Sequence, residues 1–410
     1  MKNILQDFPL ALCLSGTFLS GVSCEDRPGS NTGSEHLTGE KAAVEAVAEP
    51  GISAWTVFRG APDLTGVVDA KITLPLELRW QVKTEDPILA SPVSDGEHVF
   101  IGDGDGNFLC LALKDGVEIW RAKIDATIEG TACIIGDLVV VGCTDGFVYA
   151  YEKKSGTQAW KFETLGEIVG GINTFTRQAA DGNVPCAVFG SHDNKLYCID
   201  ARDGTEQWSV ETGYYVNGTP SVAGDKISFG GCDGFIYINN AQTGEEVGKF
   251  ELGSYISNSI IIKDDTAYVA HYDNRVEAYS IVDGKKIWSF EERSFPYYAS
   301  PAVTESMVIA PGQGKRVYAI DRNTGEEVWN FRTAGSSDSS PVVAGGYVIF
   351  GADDGILYFL NEKTGEEAWR YEIGDEIKSS PALVRDSLII GASDGRVYAF
   401  TIPEASMPTK

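Results

Sequence analysis

The sequence is poor in the residues from which zinc sites and hydrolytic centres are commonly built. It contains four histidines, and none of them belongs to an HxxxH, HExxH or Cys/His grouping. Its eight cysteines form neither a CxxC nor a Cys-Cys pair, and no GxSxG segment is present. The sequence therefore nominates no catalytic residue and no metal-ligating residue.

Basic residues are also scarce. Lys and Arg together number 33, against 59 Asp and Glu, which gives a formal net charge of -26. Nucleic acids and anionic lipid surfaces attract proteins through basic patches. We therefore expect neither nucleic acid nor the lipid surface itself to be a partner of this protein.

Long hydrophobic runs are missing apart from one near the N-terminus. The run Phe8–Val22 is too short to span a bilayer comfortably but suits the apolar region of a secretory leader. Small residues at the end of this run, just before Cys24, resemble the lipidation site of bacterial lipoproteins. We expect residues 1–24 to be a leader, Cys24 to carry a lipid anchor and residues 25–54 to be a flexible tether. The protein would then be exported and held at the periplasmic side of a membrane by lipid alone.

Most of the remaining chain is built from a repeat of about forty residues, a length that predicts a propeller or a solenoid. Most copies contain a Gly turn followed four residues later by Trp. The series is Trp80, Trp120, Trp160, Trp208, Trp288, Trp329 and Trp369. Gly248 stands at the position of an eighth Trp, where we expect either another side chain or water to fill the space.

The copy that ends at Trp369 shows the secondary structure of one repeat. Three apolar segments are separated by Gly-containing turns, and a fourth segment carries the Trp. This pattern predicts an all-β, eight-bladed propeller of four-stranded antiparallel blades over residues 76–402, with a lead-in segment at 55–75 and a tail at 403–410. The last copy has three strands, so the strand that carries Trp80 should complete it and close the ring.

The segment Ala319–Trp329 matches, position for position, the tryptophan-docking motif of PQQ-type (pyrroloquinoline-quinone-type) propeller repeats. The chain therefore resembles the quinoprotein-like propeller superfamily. Its two branches are the quinoprotein alcohol dehydrogenases and BamB, the lipoprotein of the outer-membrane β-barrel assembly machine. The simple blades and the lipoprotein-like leader resemble the BamB branch more. In this superfamily the Trp rings lie between neighbouring blades, so the resemblance implies a structural role for the Trp series.

The resemblance to BamB implies a non-catalytic, monomeric scaffold that binds protein partners, among them the barrel-assembly machinery. The alternative is a periplasmic PQQ-dependent dehydrogenase or a propeller that binds a small ligand. No residue of this sequence corresponds to the cofactor ligands of the dehydrogenases. PQQ is therefore implied by family likeness alone, and no cofactor-binding residue is assigned.

The loops that join one repeat to the next are the candidate binding region, because they converge on the axis of a propeller. In blades four to six these loops carry Tyr214, Tyr215, Asn217, Tyr255, Asn258, Phe295, Tyr297 and Tyr298. Tyr combines a large contact area with a polar tip, which suits a binding surface. The alternative is that these rings pack between the loops or fill the mouth of the channel.

Overall fold

Eight antiparallel sheets of four strands form an eight-bladed β-propeller, as the sequence predicts. The short strand Val67–Val68 adds to one of these sheets, in parallel with Val342–Ala344. The structure, a computed structural model, describes residues 52–180, 182–291 and 295–403. The predicted leader, the lipidation site Cys24, most of the tether and nearly all of the tail lie outside these ranges. Within them, no helix is long and apolar enough to cross a membrane.

A 3₁₀ turn at Phe58–Gly60 and two strands precede the first blade, namely β1 (Val67–Val68) and β2 (Glu77–Lys83). Blade 1 comprises β3 (Val93–Ser94), β4 (His98–Gly102), β5 (Asn107–Ala112) and β6 (Glu118–Lys123). Blade 2 comprises β7 (Cys133–Ile135), β8 (Leu138–Gly142), β9 (Phe147–Glu152) and β10 (Gln158–Glu163). Blade 3 comprises β11 (Asn173–Ala179), β12 (Gly182–Ser191), β13 (Lys195–Asp200) and β14 (Glu206–Glu211). Blade 4 comprises β15 (Ser221–Ala223), β16 (Lys226–Gly230), β17 (Phe235–Asn240) and β18 (Glu246–Glu251).

The second half of the ring repeats this order. Blade 5 comprises β19 (Ile261–Lys263), β20 (Thr266–His271), β21 (Arg275–Ser280) and β22 (Lys286–Glu291). Blade 6 comprises β23 (Ala302–Val303), β24 (Met307–Gly312), β25 (Arg316–Asp321) and β26 (Glu327–Arg332). Blade 7 comprises β27 (Val342–Ala344), β28 (Tyr347–Gly351), β29 (Ile356–Asn361) and β30 (Glu367–Glu372). Blade 8 comprises β31 (Ala382–Val384), β32 (Ser387–Ala392), β33 (Arg396–Thr401) and β2.

Strand β2 closes the ring, as the incomplete last repeat predicts. It pairs antiparallel with β33 from Glu77 opposite Thr401 to Lys83 opposite Arg396. The guanidinium of Arg79 donates to the Thr401 hydroxyl at 2.8 Å, and the indole N–H of Trp80 donates to a carbonyl of blade 1 at 2.9 Å. One strand therefore completes blade 8 and also attaches it to blade 1.

The Trp rings lie at the junctions between blades. The indole N–H groups of six of them donate to a backbone carbonyl of the next blade, and a seventh ring, that of Trp369, packs on Phe400 of blade 8. Each of the six also covers the turn glycine of that blade; a Cβ at Gly156 would lie 2.6 Å from the ring of Trp120. Gly156 has a φ of +69°, so both its backbone conformation and the close approach of the ring require glycine.

At the position of the missing Trp, another side chain fills the junction, which is one of the two alternatives that the sequence left open. Gly248 lies in β18, and the ring of Phe250 occupies the space above it. A Cβ at Gly284, the turn glycine of the next blade, would lie 2.3 Å from this ring. Phe250 therefore covers Gly284 as the Trp rings cover their glycines.

The lead-in segment closes one end of the axial channel. Residues 52–72, here called the plug, cross the inner strands of the ring. Backbone hydrogen bonds join the plug to blades 1, 2, 4, 6, 7 and 8, through Ser94, Ile134, Val222, Val303, Val343 and Arg385. The amide of Asn173 in blade 3 donates to the Pro62 carbonyl at 2.8 Å, and Leu64 belongs to the same buried apolar cluster as Ile261 of blade 5. The plug thus contacts every blade, and its contacts begin at Ile52, three residues before the predicted lead-in.

A buried arginine lies at the centre of the plug. Arg59 is 1% exposed and has a φ of +60°. Its guanidinium donates to the carbonyls of Pro301 at 2.8 Å and Pro341 at 3.0 Å, at the start of two inner strands. Burial lowers the pKa of Arg59 to about 9, and the charge of Asp63 opposes this shift. The side chain is therefore still protonated at neutral pH.

Candidate functional site

Two sets of loops meet on the face of the propeller opposite the plug. In every blade the second turn joins the second strand to the third. A backbone N–H of this turn donates to a carbonyl of the loop that leads into the same blade. The donor and acceptor pairs are Gly104–Pro87, Thr144–Thr127, His192–Glu167, Cys232–Tyr215, Tyr272–Tyr255, Gln313–Pro296, Asp353–Ser336 and Ser393–Glu376. We call this face the loop face and the plugged face the base face.

Five of the predicted aromatic residues are exposed on the loop face, and the structure adds one more. The exposed residues are Tyr214, Tyr215, Tyr255, Phe295, Tyr298 and the added Tyr272. Together we call these six residues the aromatic strip. They are between 38% and 58% exposed, and they are all of the exposed large aromatic side chains in the described ranges. The sequence-based search missed Tyr272 because it compared the loops between blades and not the second turns beside them.

The aromatic strip has two groups of touching rings. Tyr215 stacks on His192 with 4.6 Å between ring centroids and touches Tyr214 at 4.4 Å. In the second group Tyr272 lies 6.2 Å from Tyr255 and 6.1 Å from Tyr298. The added residue therefore joins two predicted residues that belong to different blades. Leu165, which is 90% exposed, lies in the loop that leads into blade 3 and adds apolar surface there.

Two of the predicted surface residues are buried instead. Tyr297 is fully buried in the apolar cluster between blades 5 and 6, at the position where most other loops carry Ile or Val. Its ring therefore packs between the loops, as the alternative in the sequence analysis describes, while the next ring, Tyr298, is exposed. Asn258 is 4% exposed and lines the axial channel, and Asn217 is half-buried with its amide oxygen 2.7 Å from Nε2 of His192.

A buried charged group lies beneath Tyr272. Glu277 and His271 are each 2% exposed, with His271 Nε2 3.6 Å from Glu277 Oε2. Tyr279 and Ser289 donate to this carboxylate at 2.7 Å, and Lys286 at 3.0 Å. Burial opposes ionisation, but the nearby His271 ring and the hydrogen bonds from Tyr279, Ser289 and Lys286 outweigh it and hold the pKa of Glu277 far below its usual range.

Replacing Glu277 should make stability less dependent on pH. The folded-state pKa of Glu277 lies below that of the unfolded chain, so its contribution is present at neutral pH and is lost as pH falls through about 4 and below. We expect Glu277→Gln to lower the free energy of unfolding by about 2 kcal/mol at pH 7. The difference between the two proteins should shrink towards pH 3, as measured by urea unfolding at each pH.

Glu291→Gln is the matched control, because Glu291 lies in the same blade and its side chain is 61% exposed. Its substitution should change the free energy of unfolding by less than about 0.5 kcal/mol. If Glu277→Gln lowered the free energy of unfolding by the same amount at pH 7 and at pH 3, the conclusion that the Glu277 carboxylate is ionised in the folded protein would be contradicted.

The rim of the axial channel carries one residue from each blade. In blade order these are Leu89, Glu129, Val169, Asn217, Ser257, Tyr298, Asp338 and Lys378. Burial and the nearby Asp353 raise the pKa of Asp338. PQQ is a tricarboxylate, whereas this rim offers two carboxylates and one cation, so these residues do not fit it.

The cysteines and acidic residues of the described ranges form no metal centre. No group of three or more His, Cys, Asp or Glu side chains in this part of the chain is placed to hold a metal ion. The six cysteines there are free thiols, and all except Cys232 are buried. Burial raises the pKa of Cys133 and of Cys143, which disfavours the reactive thiolate at both positions.

A family model described as outer membrane protein assembly factor BamB matches the chain in three overlapping segments, residues 77–212, 192–302 and 296–404. Among curated proteins, the BamB of Nitrosomonas eutropha is 28% identical over 109 residues. This match covers 26% of the present chain and 26% of that protein. The chain thus matches about a quarter of the length of that relative.

Solved structures share the fold, and two of them illustrate this likeness. BamB from Moraxella catarrhalis superposes with a TM-score of 0.66 at 17% identity, covering 80% of this chain and 100% of that chain. A quinohemoprotein alcohol dehydrogenase from Pseudomonas putida HK5 gives a TM-score of 0.71 at 12% identity, covering 87% of this chain and 82% of that chain. At these identities the superpositions indicate a common architecture and carry no functional conclusion.

Proposed function

Because the chain belongs to the family described as outer membrane protein assembly factor BamB, we propose that it is a non-catalytic scaffold in outer-membrane protein assembly. In this proposal it binds a protein of the barrel-assembly machinery through the aromatic strip on its loop face. The family match concerns the whole fold, whereas the partner and the docking surface are proposed for this particular chain.

The observation that carries the proposal is the confinement of exposed aromatic side chains to one face. The six rings of the aromatic strip lie on the loop face, and the other exposed large apolar residues of the described ranges are aliphatic. Contiguous apolar surface on a soluble protein marks an interaction site, and Tyr is enriched among the residues that contribute most to binding energy. The loop face of blades 4 to 6 is therefore the favoured docking surface.

The acidic charge of the protein indicates which kind of partner would complement it. The protein has a formal net charge of -26, and Glu167, Asp338, Asp375 and Glu376 lie in other loops of the same face. A partner with an apolar docking segment flanked by basic residues would complement this face. Such electrostatic attraction speeds association and weakens as salt is raised.

The position of the plug supports a tethered arrangement. The described fold begins at Ile52 on the base face, where its carbonyl accepts a hydrogen bond from the Arg385 N–H at 2.6 Å. A lipid anchor at Cys24 would hold the protein at a membrane through the residues that precede the plug. Export and lipidation are part of the proposal and rest on the leader-like sequence 1–24.

Binding should be lost when the exposed rings are removed. We expect the double variant Tyr272→Ala and Tyr298→Ala to retain about one tenth or less of the partner that the wild type retains. The reason is that a Tyr side chain buried in such an interface contributes about 2 kcal/mol or more to binding. The measurement is purification of the full chain from its native membrane after mild cross-linking, with mass spectrometry of the proteins that accompany it.

The double variant Val282→Ala and Ile287→Ala is the matched control, because both residues are exposed in blade 5 away from the strip. It should retain the partner. Equal retention by both double variants would contradict docking on the aromatic strip. A bound quinone chromophore in the purified protein, together with dye-linked dehydrogenase activity, would contradict the non-catalytic role.

A further inference from the structure

The axial channel is a blind cavity. The plug closes it at the base face with Phe58 as its floor, and the ring of one residue per blade from Leu89 to Lys378 forms its rim at the loop face. The cavity volume is about 170 Å³. At roughly 15 Å³ for each water-sized sphere, this is room for about ten such spheres, which is close to the number of heavy atoms in a hexose.

A ring of hydroxyl groups lines the cavity below the rim. Five of them accept a backbone N–H from the preceding blade at 2.9–3.0 Å, and these are Thr219, Ser300, Ser340, Ser380 and Ser91. A hydroxyl oxygen that accepts an amide proton still has its own proton to donate. None of the five donates a hydrogen bond to another group within the described ranges, so the wall presents several free donors.

The polar side chain of Asn258 is not available to a molecule in the cavity. Asn258 replaces the Gly, Ala or Ser found at its position in the other blades. Its amide group donates to the carbonyl of Ala270 in blade 5 at 2.9 Å, and its oxygen Oδ1 is buried and closed to solvent. The wall therefore offers its ligand the hydroxyl donors of the Ser and Thr residues.

The charges of the cavity lie at its rim. Glu129, Asp338 and Lys378 belong to the rim ring, whereas the deeper wall is made of hydroxyls, the Asn258 amide and glycine backbone. Tyr298 adds an aromatic ring at the mouth. A molecule that fills the cavity therefore needs several acceptors but no net charge, together with an apolar edge that can lie against Tyr298.

We propose that the axial cavity binds a neutral polyol of monosaccharide size, whose oxygen atoms accept hydrogen bonds from the Ser and Thr hydroxyls of the wall. Such a molecule carries several acceptor oxygens and no charge, which matches a wall of hydroxyl donors. This inference is independent of protein docking, because the cavity and the aromatic strip share only Tyr298.

The test uses ligand-observed saturation-transfer NMR on the full chain with D-glucose, D-galactose, D-mannose and N-acetylglucosamine. We expect at least one of them to bind with a Kd of about 1 mM or tighter. Thr219→Val and, separately, Ser340→Ala should each weaken this binding by about tenfold, since each removes one hydrogen bond to the sugar. Inorganic phosphate serves as the charged comparator and L-alanine as the zwitterionic one, and neither should compete.

Tyr255→Ala is the control, because Tyr255 is exposed on the loop face but does not line the cavity. It should leave the Kd unchanged. Failure of all four sugars to bind the wild type would overturn the proposal, as would binding that both cavity variants leave intact. Competition by phosphate at the same concentration would assign the cavity to an anionic ligand, and competition by alanine would assign it to a zwitterionic one; either would also overturn the proposal. Circular dichroism of each variant checks that folding is preserved, and Ser340→Ala keeps the test decisive if Thr219→Val fails to fold.

Discussion

A chain that lacks residues 1–83 should yield no folded, soluble monomer. This truncation removes β2, which leaves blade 8 with three strands and exposes the long edge of β33 to other molecules. It also removes Trp80, whose indole attaches blade 8 to blade 1. Because one strand both completes a blade and closes the ring, we expect its loss to abolish cooperative unfolding. Size-exclusion chromatography and thermal unfolding measured by circular dichroism check this.

Two further truncations separate the strand from the plug. A chain without residues 1–51 keeps the plug and the closing strand and should be as stable as the full chain. A chain without residues 1–75 loses the plug but keeps β2, so it should remain a folded monomer of lower stability. If the chain without residues 1–83 were also a stable monomer, ring closure by β2 would be wrong.

Removing a single docking tryptophan should have the next largest effect. Trp160 is 9% exposed, donates its indole N–H to the Ala201 carbonyl at 3.0 Å and packs on Gly204. Truncation of a buried aromatic side chain in a core costs about 3–5 kcal/mol, since both burial and packing are lost. We expect Trp160→Ala to lower the free energy of unfolding by this amount, as measured by chemical denaturation.

Trp160→Phe separates packing from the hydrogen bond. It keeps a ring at the junction and loses the indole N–H, so it should cost less than Trp160→Ala by about 2 kcal/mol. A cost below about 1 kcal/mol for Trp160→Ala would contradict the view that these rings hold the blades together.

The repeat allows the scaffold to be predicted because its determinants are local. A turn glycine with positive φ and a Trp four residues later recur in most blades, and the same geometry follows wherever they recur. The incomplete last repeat likewise requires a strand from elsewhere, and Glu77–Lys83 supplies it. The sequence does not reveal that Phe250 takes the place of a Trp. Its ring reaches the junction from a position two residues after Gly248, which is the position where the other repeats carry Trp.

The plug could not be predicted because it has no pattern of its own. Its backbone forms hydrogen bonds with six blades of the ring, and backbone hydrogen bonds impose no pattern on the side chains of a sequence. Its buried Arg59 would be read from the sequence as a surface residue, since Arg is seldom fully buried. The sequence therefore gives no sign that this segment closes the channel.

The candidate site was predicted in part, for a reason visible at Tyr297 and Tyr298. The two residues are adjacent and chemically identical, yet one ring is fully buried and the other is exposed. The difference follows from register: Tyr297 aligns with the buried Ile256 of the preceding loop, and Tyr298 aligns with Ser257 of the rim. Comparison of aligned loop positions would have separated them, and extending it to the second turns would have found Tyr272.

The most direct test of the proposed docking surface is site-specific photocross-linking in the native membrane. A photoreactive phenylalanine placed at Tyr272 lies in the centre of the second ring group, and one placed at Val282 in the same blade lies away from the aromatic strip and is 79% exposed. We predict that the probe at position 272 forms a covalent adduct with a protein of the barrel-assembly machinery and that the probe at position 282 does not. An adduct from position 282 alone, or no adduct from either position, would contradict the proposal.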